Sequence, residues 1–247
     1  MSNRIPLRLV ERSLLTPDVL QLAFEHVEAR TLPFKAGQFV QVFFRDQDGL
    51  EQRRSFSLAN PPVASDQPGR WELLISLLPD GLASRFLREL PMDARLEGAG
   101  PFGRFHLMDA DAPGRYLLVA TGTGVAPFRA MLPELRQRIM REGARVALLC
   151  GARTHAELLY REEFRALARE QSGFSYRGCI SREVPIPAEP DVVAGRVQPA
   201  LMALTPRPDD LVLLCGNPMM VDECAEQLKQ AGLSARSIRR ERYVASG

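Results

Sequence analysis

Residues 117–127 read Leu-Leu-Val-Ala-Thr-Gly-Thr-Gly-Val-Ala-Pro, and this stretch constrains the fold more than any other. Four apolar residues run straight into a turn with glycines at 122 and 124, and Pro127 opens a helical pattern. A short apolar run bounded by glycines predicts a buried strand. Proline suits a first helical turn, where its missing N–H has no partner in any case. A glycine turn between strand and helix lets a ligand approach the backbone closely. It also aims free N–H groups and the positive end of the helix dipole at an anion, so the expected ligand part is a phosphate. The same turn occurs where it serves connectivity alone.

The rest of the chain sorts itself around that turn. From Tyr116 onward, strand signals at 116–120, 145–150, 174–180, 211–215 and 235–239 alternate with helical ones at 127–141, 160–171, 197–204 and 218–231. This alternation predicts a parallel sheet flanked by helices. Ligands of such sheets bind at the carboxyl ends of the strands. Thr121–Gly124, Gly151–Arg153, Ser181-Arg182 and Cys215–Pro218 all fall there. Upstream, the runs at 19–24, 39–44 and 71–78 read as strands, separated by turn clusters at 46–49 and 60–69. Short strands at this spacing predict a small antiparallel barrel. One helix interrupts it, Ser84 to Leu90, with Ser84 as its N-cap. The Gly-, Pro- and Asp-rich stretch 98–115 divides the chain into a barrel domain, 1–99, and an α/β domain, 114–247, joined by a linker at 100–113.

Charge and cysteines narrow the function. A net charge of +2 on 247 residues gives no electrostatic footprint for nucleic acid. No apolar run approaches the ~18 residues of a membrane span. Arg4, Arg8, Glu11 and Arg12 interrupt the N-terminal apolar residues, so no secretory signal is read there and a cytoplasmic location is expected. Cysteines 150, 179, 215 and 224 form no Cys-x-x-Cys pair, and His26, His106 and His155 are scattered, so no metal is expected.

Residues 52–60, Gln-Arg-Arg-Ser-Phe-Ser-Leu-Ala-Asn, place Arg54, Ser55, Phe56 and Ser57 on one strand, with Arg54 and Phe56 on one face and Ser57 on the other. An arginine, an aromatic and a hydroxyl can hold an anion, stack on a ring and hydrogen-bond a ring nitrogen. An ordinary barrel strand with an exposed Arg and a core Phe reads the same way. Gly81, Leu82, Ala83 and Ser84 make either a second phosphate site at a helix start or a routinely capped helix. Arg153, Ser181, Arg182 and Arg196 lie just beyond neighbouring strands. Arginines so placed are either surface residues or a set converging on a phosphate outside the pyrophosphate. No acidic residue for a free ribose hydroxyl is evident nearby, which points to a 2′-phosphate and hence NADP(H). Cys215 ends a strand with no His or acid close in sequence, so packing beside a planar ring suits it better than nucleophilic attack.

Together these motifs resemble the ferredoxin–NADP reductase superfamily, and within it the bacterial ferredoxin/flavodoxin–NADP reductases. The resemblance covers essentially the whole chain and keeps the motif order. Arg-Ser-Phe-Ser at 54–57 is similar to the family's Arg-x-Tyr-Ser flavin signature, and 81–84 to its flavin-phosphate turn. Residues 122–127 and 215–220 resemble its pyridine-nucleotide signatures, and 181–183 with 195–197 its 2′-phosphate region. The resemblance implies an N-terminal six-stranded FAD-binding barrel and a C-terminal NADP(H)-binding domain. It implies that Arg54 and Ser84 hold the FAD phosphates, with Ser55, Gly81, Leu82 and Ala83 in the same motifs. Ser57 would then lie near flavin N5 and Phe56 against the isoalloxazine. Thr121, Gly122, Thr123, Gly124, Gly216 and Asn217 would line the dinucleotide path, with Cys215 near the nicotinamide. Glu241 and Tyr243 resemble a terminal Glu-x-Tyr, the Tyr covering the flavin and the Glu supporting electron transfer. Phe56 in place of Tyr, and an extension past Tyr243 to Gly247, depart from the pattern. The implied activity is exchange of electrons between NADP(H) and a separate ferredoxin or flavodoxin by a monomeric enzyme. A flavin reductase and an electron-transfer subunit of a larger complex are the alternatives.

Overall fold

The computed structural model describes residues 4–63, 69–184 and 189–244. Part of the expected turn at 60–69 and the end of the expected extension past Tyr243 lie outside these residues. The chain divides into two units, one holding the residues up to Leu107 with Ala126–Met131, the other Met108–Val125 with Leu132–Val244.

The first unit is built on six antiparallel strands, β1 (Ile5–Thr16), β2 (Val19–His26), β3 (Phe39–Arg45), β4 (Glu51–Ser57), β5 (Arg70–Ser76) and β6 (Arg95–Phe102), with helix α1 (Leu82–Glu89) between the last two. Their order is β4-β3-β6-β1-β2-β5, and a bridge from Leu58, just past β4, to Leu73 of β5 joins the two ends. Closure removes the exposed edges that an open sheet presents. Leu7, Leu9, Leu22, Phe24, Leu58, Trp71 and Leu73 fill the interior with no exposure. Burying each such side chain stabilises the fold by about 1.5–3 kcal/mol. The first strand, β1, carries charges at Arg8, Glu11 and Arg12 through its apolar residues, which hid it from a pattern reading. Strand β6 runs to Phe102, into the stretch read as linker. Helix α1 begins at Leu82 with Gly81 in the N-cap position, which corrects Ser84 as cap.

The second unit is a six-stranded parallel sheet of β7 (Tyr116–Thr121), β8 (Val146–Ala152), β9 (Phe174–Ile180), β10 (Val192–Ala194), β11 (Leu211–Gly216) and β12 (Ile238–Arg242). The order is β10-β9-β8-β7-β11-β12, so the chain turns back at β7 and places β11 on its other side. Such a reversal opens a crevice at the carboxyl ends of the two central strands. Helices α2 (Ala126–Glu142), α3 (Arg161–Glu170), α4 (Val197–Ala203) and α5 (Pro218–Gln230) make the connections. Residues 116–120 of β7 are all buried, as an apolar run covered on both faces requires. Two readings are corrected here. β12 begins at Ile238 after a short 3-10 turn, three residues later than expected, and β10 lay unread because it is only 3 residues long.

Candidate functional site

At the reversal, the backbone does the shaping. The chain leaves β7 through a 3-10 turn, Gly122–Val125, before α2 begins at Ala126. Gly122 has φ +54°, and a Cβ built there would meet nothing within 4 Å, so the turn faces open space. Gly124 is different: a Cβ there would lie 2.4 Å from the Cys215 carbonyl oxygen. Its missing side chain lets the turn pack on the end of β11. Gly216, at φ +127°, packs as closely on Thr121. Thr121 Oγ1 accepts the Asn217 N–H at 2.9 Å, which locks the two strand ends together. The Asn217 side-chain carbonyl caps α5 by accepting the Met219 N–H at 2.9 Å. No acidic residue stands in the first turn of α2 or α5. Open backbone at positive φ beside an uncharged helix start suits a dinucleotide's phosphates.

Beside this turn the structure brings Cys215, Glu241 and Tyr243 together. Glu241 pairs with Cys215 across the β11–β12 register, and the Tyr243 N–H donates to the Gly216 carbonyl at 2.8 Å. Cys215 has no exposure. Burial pushes its thiol well above the ordinary value, and the Glu241 carboxylate adds to this, against an opposing hydrogen bond with the Tyr243 side chain. The group is a neutral thiol, suited to packing rather than attack.

Across β8, β9 and β10 the edge is charged instead. Backbone bonds from Ser181 N–H to the Ala152 carbonyl (3.1 Å) and from Arg182 N–H to the Arg153 carbonyl (2.8 Å) lay the turn after β9 on the exit of β8. Gly195 N–H donates to the Ile180 carbonyl at 2.7 Å and sets Arg196 alongside. Arg153, Ser181, Arg182 and Arg196 therefore share one edge, as their spacing suggested, and all four are exposed. Arg153 is held by Glu157 at 2.8 Å. Arg182 and Arg196 have no ion pair among the described residues.

Two carboxylates in this neighbourhood have partners that the sequence did not reveal. One is Glu157, betrayed only by its i,i+4 spacing from Arg153. The other is Glu183, which accepts from both the backbone N–H of His155, at 2.8 Å, and its ring Nδ1, at 3.0 Å. The backbone N–H and then the ring hold the Glu183 carboxyl below its ordinary value. Nothing local announces this contact, which joins residues on different strand exits.

In the first unit, β4 alternates as expected. Arg54 and Phe56 are half-buried on one face, Ser55 is exposed, and Ser57 is buried. Phe56 packs against the barrel core. The Arg54 guanidinium lies 5.9 Å from the centroid of the Phe44 ring, and Phe44 stacks on Phe86 of α1 at 5.0 Å. Arg54 and α1 thus meet on one aromatic pair. The Ser84 hydroxyl is used internally: it accepts the Leu78 N–H at 2.8 Å and donates to the Ser76 carbonyl at 3.3 Å. A Cβ at Gly81 would lie 2.8 Å from that oxygen, so glycine is required for this contact. The first-turn amides of α1, with no acidic residue among them, and the Arg54 charge form a donor set that fits an anionic cofactor. No group of acidic, histidine and cysteine side chains among the described residues is arranged to hold a metal. No helix among them is long and apolar enough to cross a membrane.

Comparison with known proteins agrees with this geometry. Residues 6–107 match the oxidoreductase FAD-binding domain family and residues 118–226 the oxidoreductase NAD-binding domain family. The chain is 33% identical over 243 residues to ferredoxin–NADP reductase B of Sorangium cellulosum (strain So ce56), covering 96% of each. It is also 33% identical over 217 residues to the reductase component of phenol 2-monooxygenase from Pseudomonas sp. (strain CF600), covering 87% of this chain and 59% of that protein. Among solved structures, a ferredoxin NADP+ reductase from Neisseria gonorrhoeae with bound FAD and NADP shares the fold, with a TM-score of 0.81 at 23% identity over 98% of this chain and 99% of that one. The Amycolatopsis cytochrome P450 reductase GcoB gives 0.84 at 28% identity, over 98% of this chain and 70% of that one. The chain belongs to the ferredoxin–NADP reductase family of FAD- and NAD(P)-binding oxidoreductases.

Proposed function

We propose that this oxidoreductase uses NADPH to reduce a separate ferredoxin or flavodoxin through bound FAD. FAD, when bound, supplies the conversion of hydride transfer into one-electron steps. The protein's share is positioning. Arg54 and the first-turn amides of Gly81–Ser84 hold the flavin phosphates, with Ser55, Phe56 and Ser57 along the ring system. Thr121–Gly124, Gly216 and Asn217 receive the dinucleotide, while neutral Cys215 gives its ring an apolar neighbour. Glu241 and Tyr243 complete that wall, Tyr243 as the flavin cover. Arg153, Ser181, Arg182 and Arg196 take the 2′-phosphate.

One observation carries the choice of NADPH: Arg182 and Arg196 are charged, exposed and unpaired among the described residues, on the edge that receives the adenosine end of a dinucleotide in a sheet of this order. Co-extension with ferredoxin–NADP reductase B favours a ferredoxin-type acceptor. A second reading, reductase of an oxygenase system, is favoured by the similarity to the phenol 2-monooxygenase component. Substituting Arg182→Ala should weaken NADP+ binding by about tenfold or more, the worth of a charge-assisted hydrogen bond, and leave NAD+ binding unchanged. Equal losses for both nucleotides would remove the 2′-phosphate assignment. Reduction of purified ferredoxin, flavodoxin and free flavin by NADPH, on protein prepared without added flavin, separates the acceptors.

A further inference from the structure

Next in sequence to Arg182 is Glu183, a carboxylate that would take the place of a phosphate on that arginine unless another group held it. The structure offers one such group. The His155 ring lies between two carboxylates, Nδ1 3.0 Å from Glu183 Oε2 and Nε2 3.4 Å from Glu189 Oε2. The second contact is a charge contact rather than a hydrogen bond, since Nε2 is buried without a hydrogen-bonding partner. The His155 backbone N–H also donates to Glu183, so the residue fixes that side chain in position at two points.

The other carboxylates around the ring already have arginine partners. On its own turn, Glu157 is occupied by Arg153 at 2.8 Å. From α3, Arg161 approaches Glu189 at 3.1 Å and Arg165 at 3.3 Å. Arg165 is also paired with Asp191 at 2.6 Å. Glu189 and Asp191 thus have arginine partners, whereas Glu183 has His155 alone among the described residues.

We infer that His155 is a positioning residue for nucleotide choice: by engaging the Glu183 carboxylate with its backbone N–H and its ring, it keeps that carboxylate off Arg182. This rests on the assignment of Arg182 made above. Arg182 has no ion pair among the described residues although a carboxylate follows it in the chain, and so its charge is left for a 2′-phosphate.

The test is the ratio of NADP+ to NAD+ dissociation constants, measured by calorimetry on the flavin-loaded protein. His155→Ala keeps the backbone donor but loses the ring contact, and preference for NADP+ should fall by about threefold, the size of a partly exposed ion pair. His155→Asn, which keeps a side-chain N–H, should stay close to wild type. Adding Glu183→Gln to His155→Ala should restore the preference, because no carboxylate is then left to compete for Arg182. His155→Ser serves in the same way where His155→Ala does not fold. If loss of the ring leaves preference unchanged, or Glu183→Gln fails to restore it, the inference is wrong. If Arg182→Ala weakens both nucleotides equally, the 2′-phosphate assignment fails and takes this inference with it. If Arg182→Ala abolishes preference while His155→Ala changes nothing, only the inference fails.

Discussion

Between β7 and β11 the carboxyl edge of the parallel sheet is shaped by backbone: Gly124 against the Cys215 carbonyl, Gly216 against Thr121, Asn217 capping α5. Across β8, β9 and β10 the same edge is shaped by charged side chains: Arg153 with Glu157 and His155 with Glu183. The centre has little freedom, since moving one main-chain atom moves its neighbour. The flank can be retuned one side chain at a time. A dinucleotide needs both kinds of surface. Its pyrophosphate calls for close main-chain approach, and its adenosine end for side chains that tell one nucleotide from another.

This contrast is open to attack. The largest effect should come from Gly124→Ala, where the new methyl meets a carbonyl oxygen at 2.4 Å. We expect a loss of about 3 kcal/mol or more in urea unfolding, against about 1 kcal/mol for Gly122→Ala, whose strain is conformational only. Equal, mild losses would mean the centre is as pliable as the flank. A smaller effect belongs to Asp191. Burial pushes its carboxyl up, but hydrogen bonds from Arg165 at 2.6 and 2.8 Å outweigh burial and hold it below the ordinary range. A depressed folded value means stability that is present above the unfolded value of about 3.9 and is lost as pH falls through the folded one. Asp191→Asn should therefore cost about 1 kcal/mol at neutral pH, and the gap from wild type should close as the medium is acidified below about pH 4. A gap constant with pH would show that the pair contributes nothing. The smallest effect concerns Cys215, whose neutral, buried thiol should resist iodoacetamide in the native protein at neutral pH. Rapid labelling, followed by mass spectrometry of the peptide, would contradict its burial at the centre.

Legibility in the sequence divides along the same line. Strand β7 and its turn were plain from 117–127, because an apolar run and glycine needs are local properties. Helices α2 to α5 were found to within one or two residues for the same reason. β10 was missed because Val192–Ala194 is too short to show a period, and β12 was placed early because Ile238–Arg242 is mostly arginine and glutamate. At the site, the arginines were visible but their partners were not. Glu183 was read as part of a phosphate motif, yet the structure joins it to His155, which belongs to a different strand exit.

The sequence by itself determined the two kinds of sheet, the turn at Gly122–Val125 and the positions where only glycine fits, since each follows from local periodicity and backbone sterics. Tertiary structure alone decided which charge meets which. The order β10-β9-β8-β7-β11-β12 brings the exits of β8, β9 and β10 side by side, along with those of β11 and β12. That order also decided that Cys215 is a buried neutral thiol beside Glu241. Ion pairing and desolvation depend on distances through space, and those are fixed only when the sheet closes around its core.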